Sequence, residues 1–217
     1  MKRYEQEIKD VLTVLNDSGA LSHVVLAGSW AMYFYQLIFK DFIPQAETMD
    51  LDLYLPNLKK VNGVGFVEKM KSLHYAMHVD YLTGKTTFVS KGGFNIEFLT
   101  TPDRTMSNTV KAPGLSVVAE ALPKMMLAGW NIVKVDWNGL EVNIVSPVSF
   151  VLQKILINNE RKPESKKEKD LVAIKYILPF IKSSSKYSKE FEESLSQCPK
   201  KWKKIIIQTA KENNIEI

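Results

Sequence analysis

The chain has 217 residues, of which 45% are hydrophobic and 24% charged, as in an ordinary globular protein. Its 29 Lys and Arg residues exceed its 24 Asp and Glu residues, and the resulting net charge of +5 is compatible with a polyanionic partner such as a nucleotide or RNA without requiring one. The single cysteine excludes an intramolecular disulfide, and no apolar run reaches the ~20 residues of a membrane span, so we expect a cytoplasmic protein with no membrane partner.

The first third of the chain alternates helix and strand patterns. Apolar residues at helical spacing predict a helix over 3–17 and another over 30–39, with a short buried strand at 23–27 between them. Residues 49–55, MDLDLYL, alternate polar and apolar side chains, which predicts a strand with one buried face.

The middle of the chain has the period-two pattern of antiparallel strands. Residues 76–100 contain three such segments separated by Gly-containing turns, which predicts a meander. Asn138-Gly139 lies between two alternating segments and predicts a hairpin. Between the meander and this hairpin we expect a short helix over 116–127.

The pattern changes to helices at Ser146. Ser146-Pro147 is typical of a helix N-terminus, and a capping box at Ser165-x-x-Glu168 predicts the start of a second helix. A further helix is expected at about 200–212. The sequence therefore predicts an α/β (α+β) fold, with a mixed β-sheet flanked by helices in a domain over 1–145 and an all-helical C-terminal domain over 146–217.

Asp50 and Asp52 are the first candidate functional residues. Residues two apart in a strand point to the same face, so these carboxylates project together while the leucines beside them enter the core. Two adjacent carboxylates repel unless a cation lies between them, and Mg²⁺ prefers such oxygen ligands. Glu97 alternates with Phe94, Ile96 and Phe98, so it can join the pair if its strand is the neighbour of 49–55.

An exposed Asp-x-Asp on the polar side of an amphipathic strand is the simpler explanation of this pair. The upstream Gly28-Ser29 argues against it. A strand followed by Gly-Ser and a helix presents backbone N–H groups and a hydroxyl to an anion, and Gly28 lets the backbone come close. Together, the two motifs predict a phosphate site beside a metal site.

This set of motifs resembles the nucleotidyltransferase superfamily, which contains DNA polymerase beta, the aminoglycoside nucleotidyltransferases and the toxins of abortive-infection-type toxin–antitoxin systems. The similarity is strongest to the toxin-like bacterial branch with a helical C-terminal domain, and it implies that residues 1–145 form the catalytic domain. The resemblance assigns the metal and catalytic carboxylates to Asp50, Asp52 and Glu97. It assigns nucleotide binding to Gly28, Ser29 and Thr48.

The helical half adds to the resemblance. In the toxin-like branch a Lys and a basic turn leading into a Lys-Asp pair follow the catalytic domain, and here Lys154, Arg161, Lys169 and Asp170 match them. The resemblance implies that Lys154, Arg161 and Lys169 bind the nucleotide, and that Lys154 and Arg161, seven residues apart on one helical face, hold the triphosphate. Asp170 is expected either to orient or deprotonate the acceptor or to fix Lys154.

The resemblance implies Mg²⁺- or Mn²⁺-dependent transfer of a nucleoside monophosphate from an NTP to a hydroxyl, with release of pyrophosphate. The acceptor is left open between an RNA or tRNA end, a protein and a small molecule, and an antitoxin-type protein partner is implied by the toxin-like branch. Ala46 stands where many toxin-like members have Arg. That departure keeps open an inert module of the same fold that binds a nucleotide or a protein.

Overall fold

The computed structural model describes residues 4–44, 48–103 and 106–217, and the chain divides into two units, Met1–Val145 and Ser146–Ile217. Across the described ranges, no helix combines the length and the apolar character needed to cross a bilayer. Ala46, the position of the missing Arg, lies outside the described residues.

The first unit contains a mixed sheet and short helices. Its helices are α1 (Glu5–Asp17), α2 (Gly28–Phe34), α3 (Phe66–Ser72) and α4 (Met125–Ala128). Its strands are β1 (Val25–Leu26), β2 (Asp50–Tyr54), β3 (Ala76–Val79), β4 (Thr86–Val89), β5 (Asn95–Thr100), β6 (Thr109–Ala112), β7 (Val117–Ala121), β8 (Ile132–Trp137) and β9 (Leu140–Val145).

The sheet has the order β3-β4-β5-β2-β1-β9-β8, and β7 joins it beside the end of β5 and pairs with β6. The pairs β2–β5, β1–β9 and β5–β7 are parallel, whereas β1–β2, β3–β4, β4–β5, β6–β7 and β8–β9 are antiparallel. A mixed sheet with flanking helices confirms the predicted fold class.

One face of the sheet centre carries the core. Leu51, Leu53, Ile96 and Phe98 are fully buried there. The ring of Phe66, from α3, contacts that of Phe98 edge-on at 5.9 Å between centroids. Because side chains alternate along a strand, the residues between these apolar ones point to the opposite face.

The predicted helix over 116–127 is wrong for most of its length. Residues Val117–Ala121 form strand β7, paired with β6, and only Met125–Ala128 is helical. Val117, Ala119 and Ala121 are buried while Val118 and Glu120 are partly exposed, which is the alternation of a strand. Packing against the sheet overrides the helix propensity of this Ala-rich segment.

The second unit consists of α5 (Pro147–Ile157), α6 (Glu164–Ser183), α7 (Ser185–Gln197) and α8 (Lys200–Glu212). Ser146 caps α5 as predicted, since its hydroxyl accepts a hydrogen bond from the Ser149 N–H at 3.1 Å. The predicted capping box of the next helix is wrong. α6 begins at Glu164 after Pro163, without a side-chain cap, so Ser165 already lies in its first turn.

Candidate active site

Two parallel strands place the predicted carboxylates side by side. In the β2–β5 register, Asp50 lies opposite Asn95 and Asp52 lies opposite Glu97. Partners in neighbouring strands project to the same side of a sheet, so all four side chains share the face opposite the apolar core. We call Asp50, Asp52, Asn95 and Glu97 the carboxylate face. The condition for Glu97 to join the aspartates, a strand beside β2, is met.

Gly28 lies directly against Asp52. The Ala27 N–H donates to the Asp52 carbonyl at 2.9 Å, which brings the start of α2 onto β2. Gly28 has φ +59°, and a Cβ at this position would lie 2.0 Å from Asp52 Oδ2 and 3.0 Å from its Cγ. A glycine is therefore required here both by its backbone conformation and by the closeness of the carboxylate.

Asn95 links two of the carboxylates. Its Nδ2 donates to Asp50 Oδ1 at 3.2 Å and to Glu97 Oε1 at 2.9 Å. Asn95 was not among the residues predicted from the sequence. Its position two residues before Glu97 in the same strand puts both side chains on one face, which was the available signal. The amide holds two negative side chains in fixed positions relative to each other.

Glu97 also has a cationic partner that the sequence analysis missed. Lys85, just before β4, places its Nζ 2.7 Å from Glu97 Oε2 and 2.6 Å from Glu120 Oε2. Burial by itself would lower the pKa of Lys85, but hydrogen bonds to Glu120 and Glu97 outweigh it and raise that pKa above its ordinary value. The lysine is therefore a firmly charged ammonium between two carboxylates.

The predicted phosphate-binding residues lie next to this face. Ser29 is the second residue of α2 and is partly exposed. The Thr48 hydroxyl accepts a hydrogen bond from the Asp50 N–H at 3.2 Å, so Thr48 fixes the start of β2. Ser29 therefore lies in the first turn of α2, which begins beside β2, and Thr48 lies at the start of β2.

The donor set suits a divalent cation in part. Asp50 and Asp52 offer hard oxygen donors from one strand face, and the Asp52 carboxylate lies where a side chain at position 28 would begin. Within the described ranges, however, no three His, Cys, Asp or Glu side chains converge closely enough to hold a metal ion. At this face Glu97 directs its oxygens to Asn95 and Lys85. Asp50, with one oxygen hydrogen-bonded to Asn95, and Asp52 offer carboxylate donors, while Glu97 would have to exchange a partner to join them.

In the second unit, the predicted residues form a buried ion-pair cluster. The Lys154 Nζ lies 2.6 Å from Asp170 Oδ1, and the Arg161 Nε lies 2.8 Å from Asp170 Oδ2. The side chains of Lys154 and Asp170 are 8% and 5% exposed, whereas that of Arg161 is 32% exposed. Asp170 therefore fixes both basic side chains, and Arg161 is the more accessible of the two. Lys169 is exposed on α6.

The helical-face argument for Lys154 and Arg161 is wrong in its geometry. α5 ends at Ile157 and a 3₁₀ turn over Asn158–Glu160 follows, so Arg161 does not lie on the same helix as Lys154. The two residues are brought together by their common partner, Asp170, rather than by helical spacing. Their roles in nucleotide binding stay predictions.

Known proteins are similar to this chain over most of its length. A nucleotidyltransferase family model matches residues 6–197. The solved structure of ANT(2'')-Ia in complex with adenylyl-2''-tobramycin is similar over 95% of this chain and 97% of that chain, with 11% identity and a TM-score of 0.50. Two further solved structures are also similar to this chain. An antigenic nucleotidyltransferase-like protein from Paracoccidioides brasiliensis has 16% identity over 92% and 93% of the chains (TM-score 0.47). Lincomycin-bound LnuA, a lincosamide antibiotic adenylyltransferase, has 12% identity over 78% and 94% (TM-score 0.44). No curated protein matches by sequence.

Proposed function

The chain belongs to the nucleotidyltransferase family, and we propose that its carboxylate face transfers a nucleoside monophosphate from an NTP to a hydroxyl acceptor. One observation carries the proposal. Asp52, in register with Glu97 and two residues from Asp50, is packed against the α-carbon of Gly28 at the first turn of α2. This arrangement supports a metal site on the carboxylates with a phosphate site beside it, at the first turn of α2.

Each residue of the first unit has a role in this proposal. Asp50 and Asp52 would hold a divalent cation, Mg²⁺ or Mn²⁺, and Glu97 would join them as the third ligand after exchanging a partner. When bound, such an ion supplies Lewis acidity at the phosphates. Gly28 lets the chain approach the phosphates closely, and the Ser29 hydroxyl donates to them. Thr48 holds Asp50 at the start of β2 through the hydrogen bond to its N–H.

The second unit offers a polyanion surface by itself. Lys162, Lys166 and Lys169 are exposed near the start of α6, while Lys167 pairs with Glu164 at 2.9 Å. Exposed lysines close together favour a phosphate backbone as a partner. An RNA end is therefore the first acceptor to test, before a protein side chain or a small molecule such as an aminoglycoside. If expression of this protein alone arrests growth, co-expression of an antitoxin-type partner should relieve the arrest.

The proposal is tested by label transfer from each α-³²P-labelled NTP, with Mg²⁺, to RNA, to the protein itself and to small hydroxyl compounds. We expect labelled product with at least one pair and a loss on the order of a hundredfold or more in Asp50→Asn. Glu141→Gln is the matched control, because Glu141 is an exposed carboxylate of the same sheet that pairs with Lys134 on the hairpin. Unchanged transfer by Asp50→Asn would overturn the metal assignment.

A second candidate, an inert module of this fold that binds a nucleotide or a protein, is favoured by one observation. The Lys85–Glu97 ion pair neutralises the third carboxylate without a metal. Nucleotide binding that does not depend on a divalent cation, with no transfer to any acceptor, is the result this candidate predicts.

A further inference from the structure

We propose that Lys85 is a positioning residue of the metal site. In the structure Lys85 holds the Glu97 carboxylate through an ion pair, and Glu120 would keep Lys85 paired when Glu97 turns to a metal ion. This inference rests on the proposed function, since it concerns the loading of the same carboxylate face. It assigns roles to two residues, Lys85 and Glu120, that were not predicted from the sequence.

The ammonium of Lys85 is shared by two carboxylates, those of Glu97 and Glu120. Nζ lies 2.7 Å from an oxygen of Glu97 and 2.6 Å from an oxygen of Glu120, so neither pair dominates by distance. The side chains are 20% exposed for Lys85, 25% for Glu97 and 36% for Glu120. Charge-assisted hydrogen bonds that are shielded to this degree are strong enough to fix a side-chain direction.

The sheet places Glu97 and Glu120 on one face, where both reach Lys85. Leu99 lies opposite Glu120 in the β5–β7 pair, so Glu120 projects on the same face as Glu97 and is diagonal to it. Diagonal partners in neighbouring strands lie about 7–8 Å apart at their α-carbons, which one ammonium can bridge. Lys85 is itself fixed, because its N–H donates to the Thr83 hydroxyl at 3.2 Å.

Glu120 keeps the charge of Lys85 balanced if Glu97 turns to a metal ion. If Lys85 had Glu97 as its only partner, withdrawal of Glu97 to a metal would leave a half-buried ammonium unpaired, which is costly. With Glu120 present, Lys85 keeps one carboxylate while Glu97 turns to the cation. Conversely, without a metal the lysine neutralises Glu97 and reduces the repulsion among the carboxylates of this face.

The inference predicts opposite effects of two substitutions on metal affinity. Lys85→Met releases Glu97 and should tighten Mn²⁺ binding about tenfold. Glu120→Gln leaves Lys85 with Glu97 alone and should weaken Mn²⁺ binding by a factor of about three to ten. The measurement is titration of the full chain with Mn²⁺ alone, without nucleotide, followed by the electron paramagnetic resonance of the free ion. Lys111→Met is the control, since Lys111 is an exposed lysine on β6.

A thermodynamic cycle separates action through Glu97 from a general change of charge. In a Glu97→Gln background, Lys85→Met should leave the Mn²⁺ affinity unchanged, because the group on which the lysine acts is gone. An equal tightening in both backgrounds would mean a field effect and would overturn the inference. Should Lys85→Met fail to fold, Glu120→Gln alone decides, and unchanged or tighter binding in that variant overturns the inference.

The outcomes also distinguish this inference from the proposed function. If wild-type protein binds Mn²⁺ and Asp50→Asn weakens the binding, the metal site stands whatever Lys85→Met shows. If wild-type protein does not bind Mn²⁺, or binds it equally well after Asp50→Asn, then the proposed metal site and the role of Lys85 both fall.

Discussion

Replacement of Gly28 by alanine tests the contact between the first turn of α2 and the carboxylate of β2. The added methyl group would lie 2.0 Å from Asp52 Oδ2, 3.0 Å from its Cγ and 3.4 Å from its Cβ. Rotation of the carboxylate about χ2 does not move Cγ, so the whole Asp52 side chain has to turn away. We therefore expect loss of the metal ligand in a protein that still folds.

The cost in stability can be estimated from the backbone. An L-residue at the φ of +59° pays about 1–2 kcal/mol for the left-handed conformation. For a chain of this size that is a decrease of about 2–8 °C in Tm, within the stability reserve of a typical domain. The loss of activity should be much larger, about a hundredfold or more in kcat/KM, because a first ligand of the metal is displaced.

Gly65→Ala is the matched control. Gly65 precedes α3 with φ +68°, and a Cβ there meets nothing within 4 Å. Both variants carry the same backbone penalty, but only Gly28→Ala disturbs Asp52. The assays are thermal unfolding and Mn²⁺ binding for both proteins, and label transfer once an acceptor is known. Mn²⁺ affinity in Gly28→Ala equal to that of Gly65→Ala would refute the steric reasoning.

The second unit supports two further predictions. Lys154→Met removes the closest partner of buried Asp170 and should lower the free energy of unfolding, measured in urea, by about 3 kcal/mol. This value is at the low end of the range for a broken buried ion pair, because Arg161 still pairs with Asp170. Lys169→Met, an exposed neighbour, should change stability by no more than about 0.5 kcal/mol, and equal stability of the two variants would contradict this account. Burial raises the pKa of Glu190 above its ordinary value, so its contribution to stability is present in full below about pH 4.3 and is lost as the pH rises through the raised pKa. Glu190→Gln should therefore raise the Tm slightly at neutral pH and not at pH 3.5, measured beside exposed Glu192→Gln as the control variant.

The sequence predicts the first carboxylate strand well because the pattern there is local. The alternation in MDLDLYL decides which side chains enter the core, and Leu51 and Leu53 are indeed fully buried. Period-two alternation also predicts the face of Glu97. The pairing of β2 with β5 joins segments that are distant along the chain, so the sequence pattern does not predict it. The assignment of Glu97 to the site therefore depended on the assumption that its strand lies beside β2.

The ion pairs of Lys85 could not be predicted in the same way. Its two partners are 12 and 35 residues away along the chain, and the contact depends on the pairing of β4, β5 and β7. Glu120 was also hidden by the incorrect helix over 116–127. The alternation in VVAEA was the available signal, but Ala and Glu favour helices in isolation and only the neighbouring strands decide the outcome.

The ion-pair cluster of the second unit shows a different limit. The matching residues were found, but the spacing between Lys154 and Arg161 was interpreted as one helix although α5 ends at Ile157. Nothing local to the sequence indicates that Asp170 is 3% exposed and accepts hydrogen bonds from both basic side chains. Burial and pairing of charges are decided by tertiary packing.

Binding of NTPs to the carboxylate face, measured as the shift in Tm with and without Mg²⁺, tests the central claim most directly. Wild-type protein, Asp50→Asn/Asp52→Asn and the Glu141→Gln control are titrated with ATP, GTP, CTP and UTP. A ligand at a hundredfold excess over its Kd stabilises the folded state by about 2.7 kcal/mol, or about 5–11 °C here. We predict such a shift with at least one NTP, dependent on Mg²⁺, retained in Glu141→Gln and absent from the double variant. An equal shift without Mg²⁺, or in the double variant, would contradict the assignment of a metal–nucleotide site to these aspartates.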